Sequence, residues 1–186
     1  MEQIHSQEHY SKIYKEDYIM NGIEKIKPCM NKAEIFEAPN FIVIGKAKRN
    51  SQLINGAGAF WGELYRDGTL EKLSKLPRII KNSLVGWTGD CCEDSPNRDF
   101  TYMIGVIVPY DTPIPDGFDY RVLHKTLVIK GLLGQDISEV IKEAESAGYS
   151  PSYGDNNGWN AELYIDGEPD EDKWSWLVPI KLENKK

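Results

Sequence analysis

The segment WNAELYI, residues 159–165, sets a carboxylate inside a run with strand character. Alternation on a strand puts Asn160, Glu162 and Tyr164 on one face and Ala161, Leu163 and Ile165 on the other. An ionised group buried without a partner is costly, so Glu162 implies a ligand, a nearby donor or a reaction that needs it. The alternative is that this face looks into solvent. Aromatic stripes lie on neighbouring segments: Phe100, Tyr102, Ile104 and Val106 share one strand face, and Trp174, Trp176 and Val178 share another. Such stripes serve cores as readily as pockets. Beside one acidic strand they suit an organic cation, which aromatic faces attract and a carboxylate neutralises. The candidate ligand-binding residues are Glu162, Tyr164, Trp61, Tyr65, Trp87, Tyr102 and Trp176.

Other chemistries find less support. His5 and His9 have a spacing that could chelate a metal on a helix, but further ligands are missing. Cys91 and Cys92, beside Asp90 and Glu93, have no second ligand pair and read as incidental loop thiols. His124 could serve as a haem ligand, although a lone histidine on a strand is more often structural. No phosphate loop, dinucleotide fingerprint, nucleophile elbow or zinc-protease motif is present, and no cofactor or metal is expected.

The elements that position these residues follow from periodicity and turn chemistry. Residues 1–30 form a polar extension with at most a short helix, lacking the paired apolar helices of a DNA-reading motif. Ala33–Lys48 predicts a strand pair or one bulged strand broken near Pro39. Gly56–Leu76 has helical spacing interrupted at Gly68, so one kinked helix or two short ones. Strands are predicted at Ile79–Trp87 and Phe100–Val108, and DTPIPDGFD reads as a linker. A second set follows: a strand Tyr120–Ile129, a helix Asp136–Ala147, and strands Trp159–Ile165 and Trp174–Ile180 around the acidic turn DGEPDEDK. The order is β-α-β-β, linker, β-α-β-β. An α+β fold is expected, with antiparallel sheets and helices packed on one side. A single domain would occupy residues 31–184, with halves at about 31–110 and 118–184.

A chain of 186 residues can bury roughly 70% of its unfolded surface, so it needs no metal or disulfide to hold a core. The net charge of −7 disfavours a direct nucleic-acid partner, which would call for clustered lysine and arginine. No apolar run approaches the ~18 residues that cross a bilayer, and the N-terminus has no secretory core, so a cytoplasmic protein with reduced thiols is expected.

The stretches FIVIGKAKR, FWGELY, GWTGDCCEDSPNRDFTYMIGVIV, VLHKTLVIKG and WNAELYIDGEPDEDKWSWLVPIK together resemble the GyrI-like effector-binding domains over residues 33–182. The resemblance implies two β-α-β-β modules related by a pseudo-twofold axis, with a ligand cleft between them. Members of that family serve as drug-sensing domains of bacterial AraC- and MerR-type regulators, as gyrase-inhibitor-like proteins, or as single-domain binders. It also implies that Glu162 matches the pocket glutamate that engages cationic lipophilic compounds. Some relatives hydrolyse cyclopropane-bearing toxins, and there Glu162 would be the base or water-orienting group, with Tyr102 or Tyr164 as donor. The chain departs from the family at Thr126 in KTLVIKG, where a tyrosine is usual.

Three readings follow. The first is a stand-alone binding domain for hydrophobic or aromatic, cationic small molecules. The second is a small-molecule hydrolase using Glu162. The third is a protein partner whose acidic tract EPDEDK imitates DNA.

Overall fold

The computed structural model describes residues 33–91, 99–152, 158–165 and 174–183. The N-terminal histidines, Cys92 and the EPDEDK tract therefore lie outside the described residues. Nine strands and three helices follow in chain order: β1 (Glu34–Ala38), β2 (Phe41–Arg49), α1 (Gly56–Arg66), α2 (Thr69–Ser74), β3 (Ser83–Gly89), β4 (Thr101–Pro109), β5 (Asp119–Leu123), β6 (Thr126–Lys130), α3 (Ile137–Ser146), β7 (Tyr149–Pro151), β8 (Asn160–Ile165) and β9 (Trp174–Leu182).

Local chemistry explains most of the boundaries. Pro39 and Asn40 separate β1 from β2, as their turn-forming backbones allow. Gly68, with φ near 75°, takes the left-handed conformation that ends α1 and starts α2. Asp136 caps α3 by accepting a hydrogen bond from the Ser138 amide. The predicted strand Tyr120–Ile129 is instead two strands, β5 and β6, parted at His124 and Lys125. There the Lys125 amide donates to Asn40 Oδ1 of the neighbouring turn. His124 is exposed in that turn.

All nine strands join one antiparallel sheet in the order β1-β6-β9-β8-β3-β4-β2-β5, with β7 paired to β9. The order is symmetric about the β8–β3 pair. One module contributes β2-β4-β3 with α1 and α2, and the other β6-β9-β8 with α3. The leading strands are exchanged: β1 precedes the first module but pairs with β6, and β5 precedes the second but pairs with β2. This exchange dictates the shape. β1 and β2 lie toward opposite ends of the strand order, yet only Pro39 and Asn40 join them, and only His124 and Lys125 join β5 to β6. Two residues reach roughly 10 Å between flanking Cα atoms, far less than the width of a flat sheet of this size. The sheet must therefore curl into a half-barrel. Gly45 and Gly105, opposed between β2 and β4, permit the close approach there: a Cβ on Gly45 would stand 2.1 Å from the Ile104 carbonyl oxygen.

The inner, concave face packs Phe36, Phe41, Val85, Trp87, Met103, Leu123, Val128, Trp159, Ala161 and Leu163 together, drawing on both ends of the strand order. Lys130 also turns inward and is buried, with Nζ 3.6 Å from Glu34 Oε2. Thr126 alternates with Val128 and Lys130 on this inner side, the opposite face of the sheet from Glu162. The outer face carries the helices. Phe60, Trp61 and Leu64 of α1 and Leu70 and Leu73 of α2 pack on Ile44, Ile104 and Val106. Val140 and Ala144 of α3 pack on Ile129, Val178 and Ile180.

Candidate ligand-binding site

Between those two helical layers the sheet is left partly uncovered. On β8 the helix-side residues Asn160, Glu162 and Tyr164 are each half-buried, while Ala161, Leu163 and Ile165 between them are buried. β9 begins in the same way, with Trp174 and Trp176 half-buried, before α3 covers Val178. These five residues lie half-buried on the helix side of the sheet.

Glu162 is the middle one of the three on β8. Across the sheet it is paired with Gly86 on one side and Trp176 on the other. Its Oε2 atom accepts hydrogen bonds from Tyr102 Oη at 3.0 Å and Tyr164 Oη at 2.8 Å. Tyr102 Oη in turn accepts from Trp61 Nε1 at 3.1 Å. The directions are forced, because an indole N–H only donates and a carboxylate only accepts. The Trp61 ring meets Tyr164 edge-on, with centroids 5.2 Å apart. Helix α1 is thus fixed to the sheet through the same side chains that surround the carboxylate. Burial first, and then the charge of Glu162, push the ionisation of the Tyr102 and Tyr164 phenols well above its ordinary value. Both remain neutral donors throughout the physiological range.

Gly86 makes this convergence possible. Tyr102 lies opposite Thr88 and reaches diagonally over Gly86 to the carboxylate. A Cβ at Gly86 would stand 2.3 Å from Tyr102 Oη and 2.7 Å from Glu162 Oε2. Sequence reasoning missed this residue, although a glycine within a strand is itself a sign of close approach.

Of the expected site residues, Glu162, Tyr164, Trp61, Tyr102 and Trp176 come together on the helix side. Trp87 does not. It pairs with Met103 and Ala161, so alternation turns it to the inner face, buried against that core. Tyr65 does not either: it sits at the rim of the buried face of α1 and is 44% exposed. Cys91 is an exposed free thiol, and no group of described histidine, cysteine or acidic residues could hold a metal ion.

Comparison with known proteins agrees with this architecture. No curated protein matches the chain in sequence. Among solved structures, a Staphylococcus aureus MU50 protein described in terms of bacterial transcription regulation superposes with a TM-score of 0.52 at 16% identity, over 82% of this chain and 99% of that one. The structure of SAV2435 bound to tetraphenylphosphonium superposes with a TM-score of 0.54 at 12% identity, over 83% of this chain and 95% of that one. At such identities the likeness is one of fold. None of the described helices is long and apolar enough to cross a membrane. The family model Cass2, integron-associated effector binding protein, matches residues 34–180, and the chain belongs to that GyrI-like family of small-molecule effector-binding proteins.

Proposed function

We propose that this protein binds lipophilic organic cations in the cleft between α1 and α3, with Glu162 as the counter-charge and Trp61, Tyr102, Tyr164 and Trp176 as apolar walls. The observation that carries the reading is the half-buried carboxylate at the centre of an aromatic floor that the helices leave uncovered. Apolar burial contributes about 25 cal/mol per Å², and the charge pairing adds to it in a site that is partly dry. The tetraphenylphosphonium bound by SAV2435, a protein of similar fold, belongs to the same chemical class. Discrimination would come from the carboxylate, because a neutral aromatic of equal size gains only the apolar part.

A second reading has one specific observation in its favour. Tyr102 Oη lies 3.0 Å from Glu162 Oε2, a separation at which an acid and a base can exchange a proton. A hydrolase would use Glu162 to orient water and Tyr102 as donor to the leaving atom. The protein-partner reading rests on the EPDEDK tract, which lies outside the described residues.

Thermal unfolding of the wild type and Glu162→Gln against hydrophobic cations and neutral aromatics tests the first reading. A ligand at ~100 Kd stabilises by about 2.7 kcal/mol. Cations should raise the wild-type midpoint and leave that of the variant nearly unchanged. Equal responses of the two proteins would remove Glu162 from the site. Mass analysis of the recovered ligand separates binding from turnover.

A further inference from the structure

We infer that the cleft selects cations carrying an N–H donor, protonated amines or amidines, over quaternary cations of the same size. The inference rests on the cation-binding reading above and deepens it.

Both phenols converge on Oε2 of Glu162. The other oxygen, Oε1, accepts no hydrogen bond from a described residue, and it is not among the buried polar atoms left without a partner. It is therefore the open acceptor of the carboxylate, reached from the cleft. A carboxylate oxygen in partly dry surroundings gains most from a charge-assisted N–H donor, which approaches to about 2.8 Å. A quaternary nitrogen keeps its charge behind methyl or aryl groups and offers Oε1 nothing to accept.

The aromatic residues do not replace that contact. Quaternary cations are held best by ring faces arrayed around them. Here Tyr102 and Tyr164 meet the carboxylate through their hydroxyls rather than their faces. Trp61 packs edge-on against Tyr164, and Trp174 against Trp176 at 5.3 Å, so these rings are largely engaged with one another. The neighbouring Asn160, on the same face of β8, supplies a further amide oxygen for a ligand with a second donor.

The test is calorimetric titration of the wild-type protein at neutral pH with diphenylpropylammonium and with diphenylpropyltrimethylammonium, matched in charge and apolar body. The ammonium should bind about tenfold more tightly or better. In Glu162→Gln the preference should shrink to within a few-fold. The wild-type comparison stands even if that variant fails to fold. Equal affinities, or tighter binding of the trimethyl compound, would overturn the donor inference and leave the cation site standing. No binding of either would overturn both.

Discussion

At the scale of the residue, the site is a set of mutually constrained polar atoms. Tyr102 is the hinge of the set, since it accepts from Trp61 and donates to Glu162. Its raised ionisation has a measurable consequence. Unfolded tyrosine loses its proton near pH 10, whereas buried Tyr102 keeps it. The resulting stability is fully present below about pH 10 and is lost above it, at roughly 1.4 kcal/mol per pH unit for one tyrosine. Urea unfolding across the alkaline range should show a shallower decline in Tyr102→Phe, by about one proton. Equal slopes would mean that Tyr102 is not held as described. Gly86→Ala places a methyl against Tyr102 Oη and Glu162 Oε2, and should cost about 1–3 kcal/mol as well as ligand affinity. A variant that keeps wild-type stability and wild-type binding would contradict the packing at Gly86. Glu162 was legible in the sequence because alternation isolates it among apolar residues. Gly86 was not read, because its role lies in the space it leaves for side chains from two other strands.

At the scale of the element, β8 carries the most information. Its alternating half-buried and buried residues mark a strand whose helix side is only partly covered. The break at Pro39 and the interruption at Gly68 were legible from turn-forming residues, and of the alternatives each left open the structure has two strands and two short helices. The split between β5 and β6 was not legible. No glycine or proline marks His124 and Lys125, and the turn is stabilised by Asn40, which is remote in sequence. Strand β7 was missed as well: three residues ending at Pro151 have too little pattern to read, and their pairing with β9 supplies the structure. The close approach of β2 and β4 gives this scale its prediction. Gly105→Ala would put a Cβ 2.3 Å from the Ile44 carbonyl oxygen. A loss of about 1–3 kcal/mol is expected in chemical denaturation. A midpoint unchanged from wild type would contradict the tight opposition of these strands.

At the scale of the whole molecule, the exchange of β1 and β5 between modules rolls the sheet and gives it two unlike faces. The two-module order was legible from the succession of elements. The exchange was not, since it is set by pairings between segments more than 70 residues apart, such as Glu37 with Leu127. Trp87, a candidate from the sequence, accordingly lies on the inner side of the half-barrel. The five tryptophans consequently divide by face. Trp61, Trp174 and Trp176 lie on the helix side, around the proposed site, whereas Trp87 and Trp159 lie in the inner core. The most direct measurement follows their indole N–H resonances by nitrogen-15 NMR, as a lipophilic ammonium is titrated into the protein. The expected result is that Trp61 and Trp176 shift with ligand, Trp174 to a lesser degree, while Trp87 and Trp159 hold their positions. Shifts concentrated at Trp87 and Trp159 would instead place the ligand inside the half-barrel and contradict the assignment of Glu162 as the centre of the site.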